Sequence, residues 1–439
     1  MRNKIVPLVL LILLSFSLSG CELKNIFRKS KITNDEKVVR NESPTPTSEI
    51  AKDEKPNLQA TASAELASVE YKLGPNLKEA RMGHFQLTLP DGSIALFGGH
   101  GKGFSSLSTA EIINKDLTGS VVYNMRYPHD FGAVVTLANG EVILSGGSAD
   151  LGVPRYDTSE IFNPKTTTFT ETGKLNKFRA GAGSAQLKDG RVLIAGAWWT
   201  HNDANSYGEI YDPKTGSFLE TGKLVKPRAY GIVLPTEDGG AVFFGGTGAQ
   251  GTPGVINEVE KFDPKTNSFS LLQKSLFKDE ADWGVHLSHY QRPISAQMLP
   301  DGKYLLYAYK SDGKVTKYSL FSFDPKTVTF EKIETIPPLP DSGTTSLLAP
   351  VVGTETGKVY LVGASVETPV KVSLYSVNIN SWEVTFPKNS FTLPDKYFLS
   401  GVTASLTKDG KIFLTGGNSE TGYSTNFSPV NNTLIINPK

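Results

Sequence analysis

The chain has 439 residues, with 45 lysines and arginines against 44 aspartates and glutamates, and a single cysteine. A net charge of +1 argues against a nucleic-acid partner, which demands a basic surface. One cysteine excludes an intramolecular disulfide, so stability has to come from apolar burial, for which the roughly 370 residues after the N-terminal region are ample.

In chain order, Arg2 and Lys4 precede an apolar run from Ile5 to Leu18, too short for a comfortable membrane span. Leu18-Ser19-Gly20-Cys21 then resembles the bacterial lipobox. That resemblance implies removal of residues 1–20 as a signal peptide, acylation of Cys21, and a bacterial cell-membrane location held by acyl chains. Glu22 is not the aspartate that retains many Gram-negative lipoproteins at the inner membrane, which favours the outer membrane in such a host. Residues 21–68 are polar and poor in aromatics, with Ser43-Pro44-Thr45-Pro46-Thr47-Ser48 at their centre. They predict a disordered tether with a reach of roughly 35 to 40 Å.

From residue 69 to 439 the sequence repeats. A turn and an apolar strand ending in small residues runs from Pro90-Asp91-Gly92 to Gly98-Gly99, and recurs up to Gly146-Gly147, Gly196-Ala197, Gly245-Gly246, Ala308, Gly363-Ala364 and Gly416-Gly417. A period near 50 residues of strand-type units predicts propeller blades. A second unit follows in four copies: Glu160-Ile161-Phe162-Asn163-Pro164, Glu209-Ile210-Tyr211-Asp212-Pro213, Glu260-Lys261-Phe262-Asp263-Pro264 and Ser322-Phe323-Asp324-Pro325. Each reads as a strand entering an Asx-Pro turn. An aromatic on the next strand comes at Phe169, Phe218, Phe269 and Phe330, and more loosely at Trp382.

These units predict an all-β fold of seven four-stranded antiparallel blades. Ser68 to Pro75 resembles a fourth strand lacking its own first three, so the N-terminal strand is expected to complete the last blade. The Gly-Gly pairs suit a place where backbone of the next blade comes too close for a Cβ. In blades five and six Ala308-Tyr309 and Gly363-Ala364 replace Gly-Gly, so irregular blades are expected there.

With its turn-Gly-strand-Gly-Gly and Glu-apolar-aromatic-Asp-Pro units, the chain resembles the kelch family over residues 69 to 439. The resemblance implies a propeller and leaves function open, because function lives in the site. Galactose oxidase, a kelch-type copper radical enzyme, uses a cysteine–tyrosine crosslink. With Cys21 given to the anchor, that cofactor is not expected here, and neither is any other.

The short first and third turns of each blade share one face. The longer second loops and the connections between blades share the other, where binding residues concentrate. His100, Trp198, Trp199 and His201 fall in second loops, and His129 in a connection. The longest connection carries Trp283, His286, His289, Tyr290 and Arg292. Seventeen residues before each glycine landmark stand Arg81, His129, Arg179 and Arg228, with Arg292 sixteen before Ala308. Either these arginines hydrogen-bond neighbouring carbonyls and fix blade spacing, or Arg81, Arg179, Arg228 and Arg292 form an anion-binding cluster. His286-x-x-His289 lies in a loop without the enforced geometry of a helical zinc motif, so no metal site is expected. No nucleophile elbow and no phosphate loop is present.

The expectation is therefore a monomeric, membrane-anchored binding scaffold without catalysis, whose partner is an envelope or extracellular protein met through the variable face. The rival is a propeller that binds or modifies carbohydrate, holding an anionic sugar with its arginines.

Overall fold

The computed structural model describes residues 70–149, 156–198, 203–248, 254–277, 296–311, 316–336, 345–353, 357–365, 369–385, 390–394, 401–419 and 428–438. Residues 1–69, with the expected leader, Cys21 and the expected tether, lie outside the described residues. So do Trp199, His201, Trp283, His286, His289, Tyr290 and Arg292.

Seven antiparallel sheets follow one another along the chain, with strands a to d in sequence order from the inside outward in all but the last. Blade 1 holds Phe85–Thr88, Ile94–Phe97, Thr109–Ile113 and Ser120–Asn124. Blade 2 holds Ala133–Thr136, Val142–Ser145, Ser159–Asn163 and Thr168–Glu171. Blade 3 comprises Gly183–Gln186, Val192–Ala195, Tyr207–Asp212 and Ser217–Lys223, and blade 4 comprises Ile232–Pro235, Ala241–Phe244, Val259–Asp263 and Ser268–Gln273. Blade 5 runs Gln297–Met298, Tyr304–Ser311, Thr316–Asp324 and Thr329–Ile336. Blade 6 has Thr345–Gly353, Lys358–Ser365 and Lys371–Asn378, with its outer position shared by Val384–Thr385 and Phe391–Thr392. Blade 7 takes Thr403–Leu406, Ile412–Thr415 and Thr433–Asn437, and its fourth strand is the N-terminal Glu70–Leu73. The ring is a seven-bladed β-propeller, closed by a strand from the other end of the chain.

Strand b reads as an apolar run because it is buried on both faces between neighbouring blades. Leu89, Ala95 and Phe97 of blade 1 pack with Val142, Leu144 and Phe162 of blade 2. Ile94 and Leu96 meet Phe413 and Ile435 of blade 7 across the closure. Each such side chain contributes about 1.5–3 kcal/mol on burial. The strand d aromatics cover the strand c ring of their own blade: Phe169 lies 4.9 Å from Phe162, and Phe330 lies 4.8 Å from Phe323. Trp382 departs from the expected pattern. It sits in the c–d turn at φ 58°, the place of Thr167, Asn267 and Val328, instead of on strand d.

The Gly-Gly pairs do what close approach requires. A Cβ on Gly146 would lie 2.6 Å from the Arg179 carbonyl oxygen, and one on Gly196 would lie 2.5 Å from that of Arg228. Both glycines are left-handed, so the pair also ends strand b. Where the pair is missing, strand b continues: it has eight residues in blades 5 and 6, against four in the others. Blade 6 is also irregular, as expected, with a register shift between Leu347 and Pro350 and an outer position split between two short segments.

The closing seam is polar. His84 Nε2 lies 2.7 Å from Thr415 Oγ1 and 2.6 Å from Thr403 Oγ1. Both threonines donate to Gln86 Oε1, and Gln86 Nε2 donates to Ser405 Oγ and the Phe413 carbonyl. Burial, with the Arg81 charge beside it, holds the His84 pKa well below the ordinary histidine value of 6.5. The unfolded chain therefore binds a proton that folded His84 refuses, and stability is lost as pH falls below about 6.5. Between pH 7 and pH 5 this term reaches at most about 2 kcal/mol, the limit for a folded His84 that takes up no proton in that range. Urea denaturation of the parent and of His84→Gln at both pH values should show the parent losing up to that much more stability. Equal losses would contradict the assignment.

Candidate functional site

The face that carries the b–c loops and the connections is organised by one buried acidic position on strand c. Glu111, Glu160, Glu209 and Glu260 have the same register, opposite Leu96, Leu144, Ile194 and Phe243 of strand b. All four are fully buried. Each accepts from two consecutive amides of the connection entering its blade: Lys78 and Glu79, Arg126 and Tyr127, Asn176 and Lys177, Val225 and Lys226. A buried carboxylate bonded this way satisfies amides that a bending connection would otherwise leave without partners.

The same carboxylates face Arg81, His129, Arg179 and Arg228. Arg179 Nε donates to Glu209 at 2.9 Å and Arg228 Nη2 donates to Glu260 at 2.6 Å. Arg81 lies 3.8 Å from Glu111 and donates to Glu79 at 3.0 Å. The spacing of seventeen residues is itself a hydrogen bond. Arg81, Arg179 and Arg228 Nη1 donate to the carbonyls of Gly98, Gly196 and Gly245, and His129 Nδ1 lies 2.7 Å from that of Gly146. The Glu160 carboxylate lies 3.0 Å from the other ring nitrogen, Nε2, so His129 bridges the same two partners as the arginines. Burial pulls the three guanidinium groups down from the ordinary arginine value, and their glutamates oppose that pull.

Of the two readings of these arginines, the three described ones follow the first, bonding carbonyls, and do not form the anion cluster of the second. Arg81, Arg179 and Arg228 are at most 1% exposed, so their charge is turned inward and committed to their own blades. Their main chains meanwhile hold the preceding blade. The carbonyls of Arg179, Arg228 and Arg81 accept from the amides of Gly147, Ala197 and Gly417. In blades 5 to 7 the position of the glutamate is taken by Phe321, Tyr375 and Leu434, opposite Leu306, Leu361 and Leu414. The charged nodes thus form an arc over blades 1 to 4.

His100 and His129 also lie deeper than the surface position expected of them, at 1% and 2% exposed. His100 pairs with Asp130 at 3.2 Å, beneath the rings of Phe104 and Phe131 at 4.8 and 5.1 Å. A pair so enclosed supports the loops above it and does not present an acid–base group to solvent. Trp198 is half-buried and packs with Phe131, Ala180, Ala229 and Tyr230, its ring 5.6 Å from that of Tyr230.

Phe131 and Tyr230 escaped the sequence reading. Each stands two residues after the His129 or Arg228 node, where Arg81 and Arg179 are followed by Gly83 and Gly181. All four are left-handed, at φ 58°, 57°, 61° and 71°. The amide of Gly181 donates to the Phe131 carbonyl, and that of Tyr230 donates to the Gly181 carbonyl, stitching neighbouring blades around the axial opening. Left-handed backbone costs a bulky residue of order 1–3 kcal/mol, and such strain gathers at ligand clamps and switch sites. Phe104 and His129 share it, at φ 67° and 42°. The other non-glycine residues of this kind stand in c–d turns, apart from Asp203 at the start of a short 3-10 turn. On the face of the connections, the left-handed bulky residues Phe104, His129, Phe131 and Tyr230 all belong to blades 1 to 4.

No protein-family model matches the sequence, and no curated protein does. Among solved structures the chain is similar to a fungal alcohol oxidase of the AA5 family in complex with copper. The TM-score is 0.60 at 16% identity, over 84% of this chain and 76% of that one. At this identity the likeness shows the fold alone. The described residues do not fit a copper centre. No three His, Cys, Asp or Glu side chains among them converge as a ligand set, and His84, His100 and His129 are engaged as described above. Cys21, the one cysteine, lies outside the described residues.

If the strand c carboxylates hold the connections, Glu260→Ala should lower stability by about 3–5 kcal/mol, since it strands a buried guanidinium. Arg228→Met combined with Glu260→Ala should recover only part, because the Val225 and Lys226 amides still lack their acceptor. Urea unfolding reads both, and a loss below about 1 kcal/mol for the single change would contradict the assignment.

Proposed function

We propose that this chain is a kelch-type propeller lipoprotein, held at a bacterial membrane through acylated Cys21 and a tether over residues 21–68. In this reading it binds a protein of the envelope or its surroundings through the face that carries the aromatic mouth. The observation that carries the reading is the strain at Phe131 and Tyr230. Two blades place a large ring where two others place glycine, in a conformation that favours glycine. Both rings are buried, at 6% exposure, and form the packing base for half-buried Trp198 at the same mouth. An aromatic held rigidly in this way gives much contact area at little entropic cost.

The leader supports the address: the only cysteine stands where acylation requires it. The carbohydrate alternative loses the groups on which it rested, since three of its four arginines are turned inward. Trp198, half-buried beside Tyr230, is the ring of this cluster best placed to meet a partner.

A photo-crosslinking residue at Trp198 should give discrete protein adducts in the native envelope, and one at exposed Lys188 on the opposite face should not. Trp198→Ala should weaken capture of the same protein by roughly 30-fold, the effect of a 2 kcal/mol hot spot. Adducts of equal yield from both faces, or none from Trp198, would overturn the reading.

A further inference from the structure

The ring encloses an axial cavity of about 640 Å³, lined from the innermost strands of blades 1 to 5. Its size is within the range that small ligands occupy. Phe131 and Tyr230 border it, both nearly buried, and Tyr230 lies over Gly181, where a Cβ would come 2.6 Å from its ring. Below them the wall of blade 3 is built from Gly181, Ala182, Ser184 and Ala185, whose small side chains leave the space open.

The strand a sequences share a further property. They read Phe-Gln-Leu-Thr, Ala-Val-Val-Thr, Gly-Ser-Ala-Gln, Ile-Val-Leu-Pro, Gln-Met, Thr-Ser-Leu-Leu-Ala-Pro-Val-Val-Gly and Thr-Ala-Ser-Leu. None contains aspartate, glutamate, lysine, arginine or histidine. The nearby cations and carboxylates are spent on each other one layer out, at the nodes of strand c. An ion entering the cavity would shed its water and meet no counter-charge on these strands, at a cost of several kcal/mol. An apolar molecule meets Leu87, Val134, Ile232 and Phe131, with amides and hydroxyls at Gln186, Gln297, Ser184 and Thr136 for one or two polar groups.

We infer that the axial cavity is a binding site for an uncharged, mainly apolar small molecule. The cavity shares Phe131 and Tyr230 with the mouth, but the argument for a neutral ligand rests on the strands below them.

The probe is N-phenyl-1-naphthylamine, an uncharged dye that brightens in apolar surroundings, compared with its 8-sulfonate, which differs by one negative charge. Both are titrated into the full chain carrying Cys21→Ser, so that no acyl chain is present. The neutral dye should bind saturably at one cavity site, and the sulfonate at least 10-fold more weakly. Ser184→Arg and Gln186→Arg each place a charge in the wall, and each should remove the saturable component. A variant that keeps the parent far-UV spectrum and melting temperature decides the test, and two are provided in case one fails to fold. Absence of saturable binding, equal affinity for the sulfonate, or binding unchanged by both substitutions would overturn the proposal. No partner protein is needed, so failure here leaves the reading of the mouth standing, and failure of crosslinking at Trp198 leaves this one standing.

Discussion

The structure depends on a buried charge placed on strand c. In Glu209 and Glu260 one fully buried carboxylate accepts two amides of the incoming connection and a guanidinium. That guanidinium reaches back to the carbonyl ending strand b of its own blade, while its main-chain carbonyl holds the blade before. One residue thus ties two blades at fixed separation. A buried ion pair is not by itself a source of stability, because desolvation offsets most of its attraction. Its effect here is geometric: the connection cannot shift without exposing a charge or stranding an amide.

That constraint sets the mouth. The left-handed residue follows two positions after each node, so its direction is inherited from the node and not chosen by a flexible loop. Where the residue is Gly83 or Gly181 the lip is thin, and where it is Phe131 or Tyr230 a ring is delivered to the axis. Blades 5 to 7 put Phe321, Tyr375 and Leu434 in place of the carboxylate and hold together by apolar contact. The propeller therefore has a polar, strained side and a plainer side. Charges used at the nodes are absent from the innermost strands, so the described lining of the axial cavity is neutral.

Much of the architecture was legible in the sequence. Turn, apolar strand and Gly-Gly report short-range backbone demands, and those repeat with the blade. The closing strand was legible because Ser68 to Pro75 had no strands of its own to join. The site was read less well, and the reason is burial. A spacing of seventeen residues says that Arg81, His129, Arg179 and Arg228 are equivalent, but an arginine aimed at solvent and one aimed at a carbonyl have the same spacing. Glu160, Glu209 and Glu260 repeat with the blade, but repetition does not tell a buried carboxylate from a solvated one, and Glu111 lacks the proline that marks the unit, being followed by Asn114-Lys115. Phe131 and Tyr230 were visible only by aligning them with Gly83 and Gly181, where an aromatic in the place of a glycine is the signal.

Hydrogen exchange of the connection amides tests the node most directly. Tyr127, Lys177, Val225 and Lys226 lie in connections on the outside of the blades, where free amides exchange at close to the unstructured rate. With a buried carboxylate as their acceptor they should instead be protected like the core strands, opening only in large-scale unfolding. In Glu260→Gln the protection of Val225 and Lys226 should fall while that of Tyr127 and Lys177 stays. Exchange at loop-like rates in the parent would contradict the account, as would a loss spread evenly over all four.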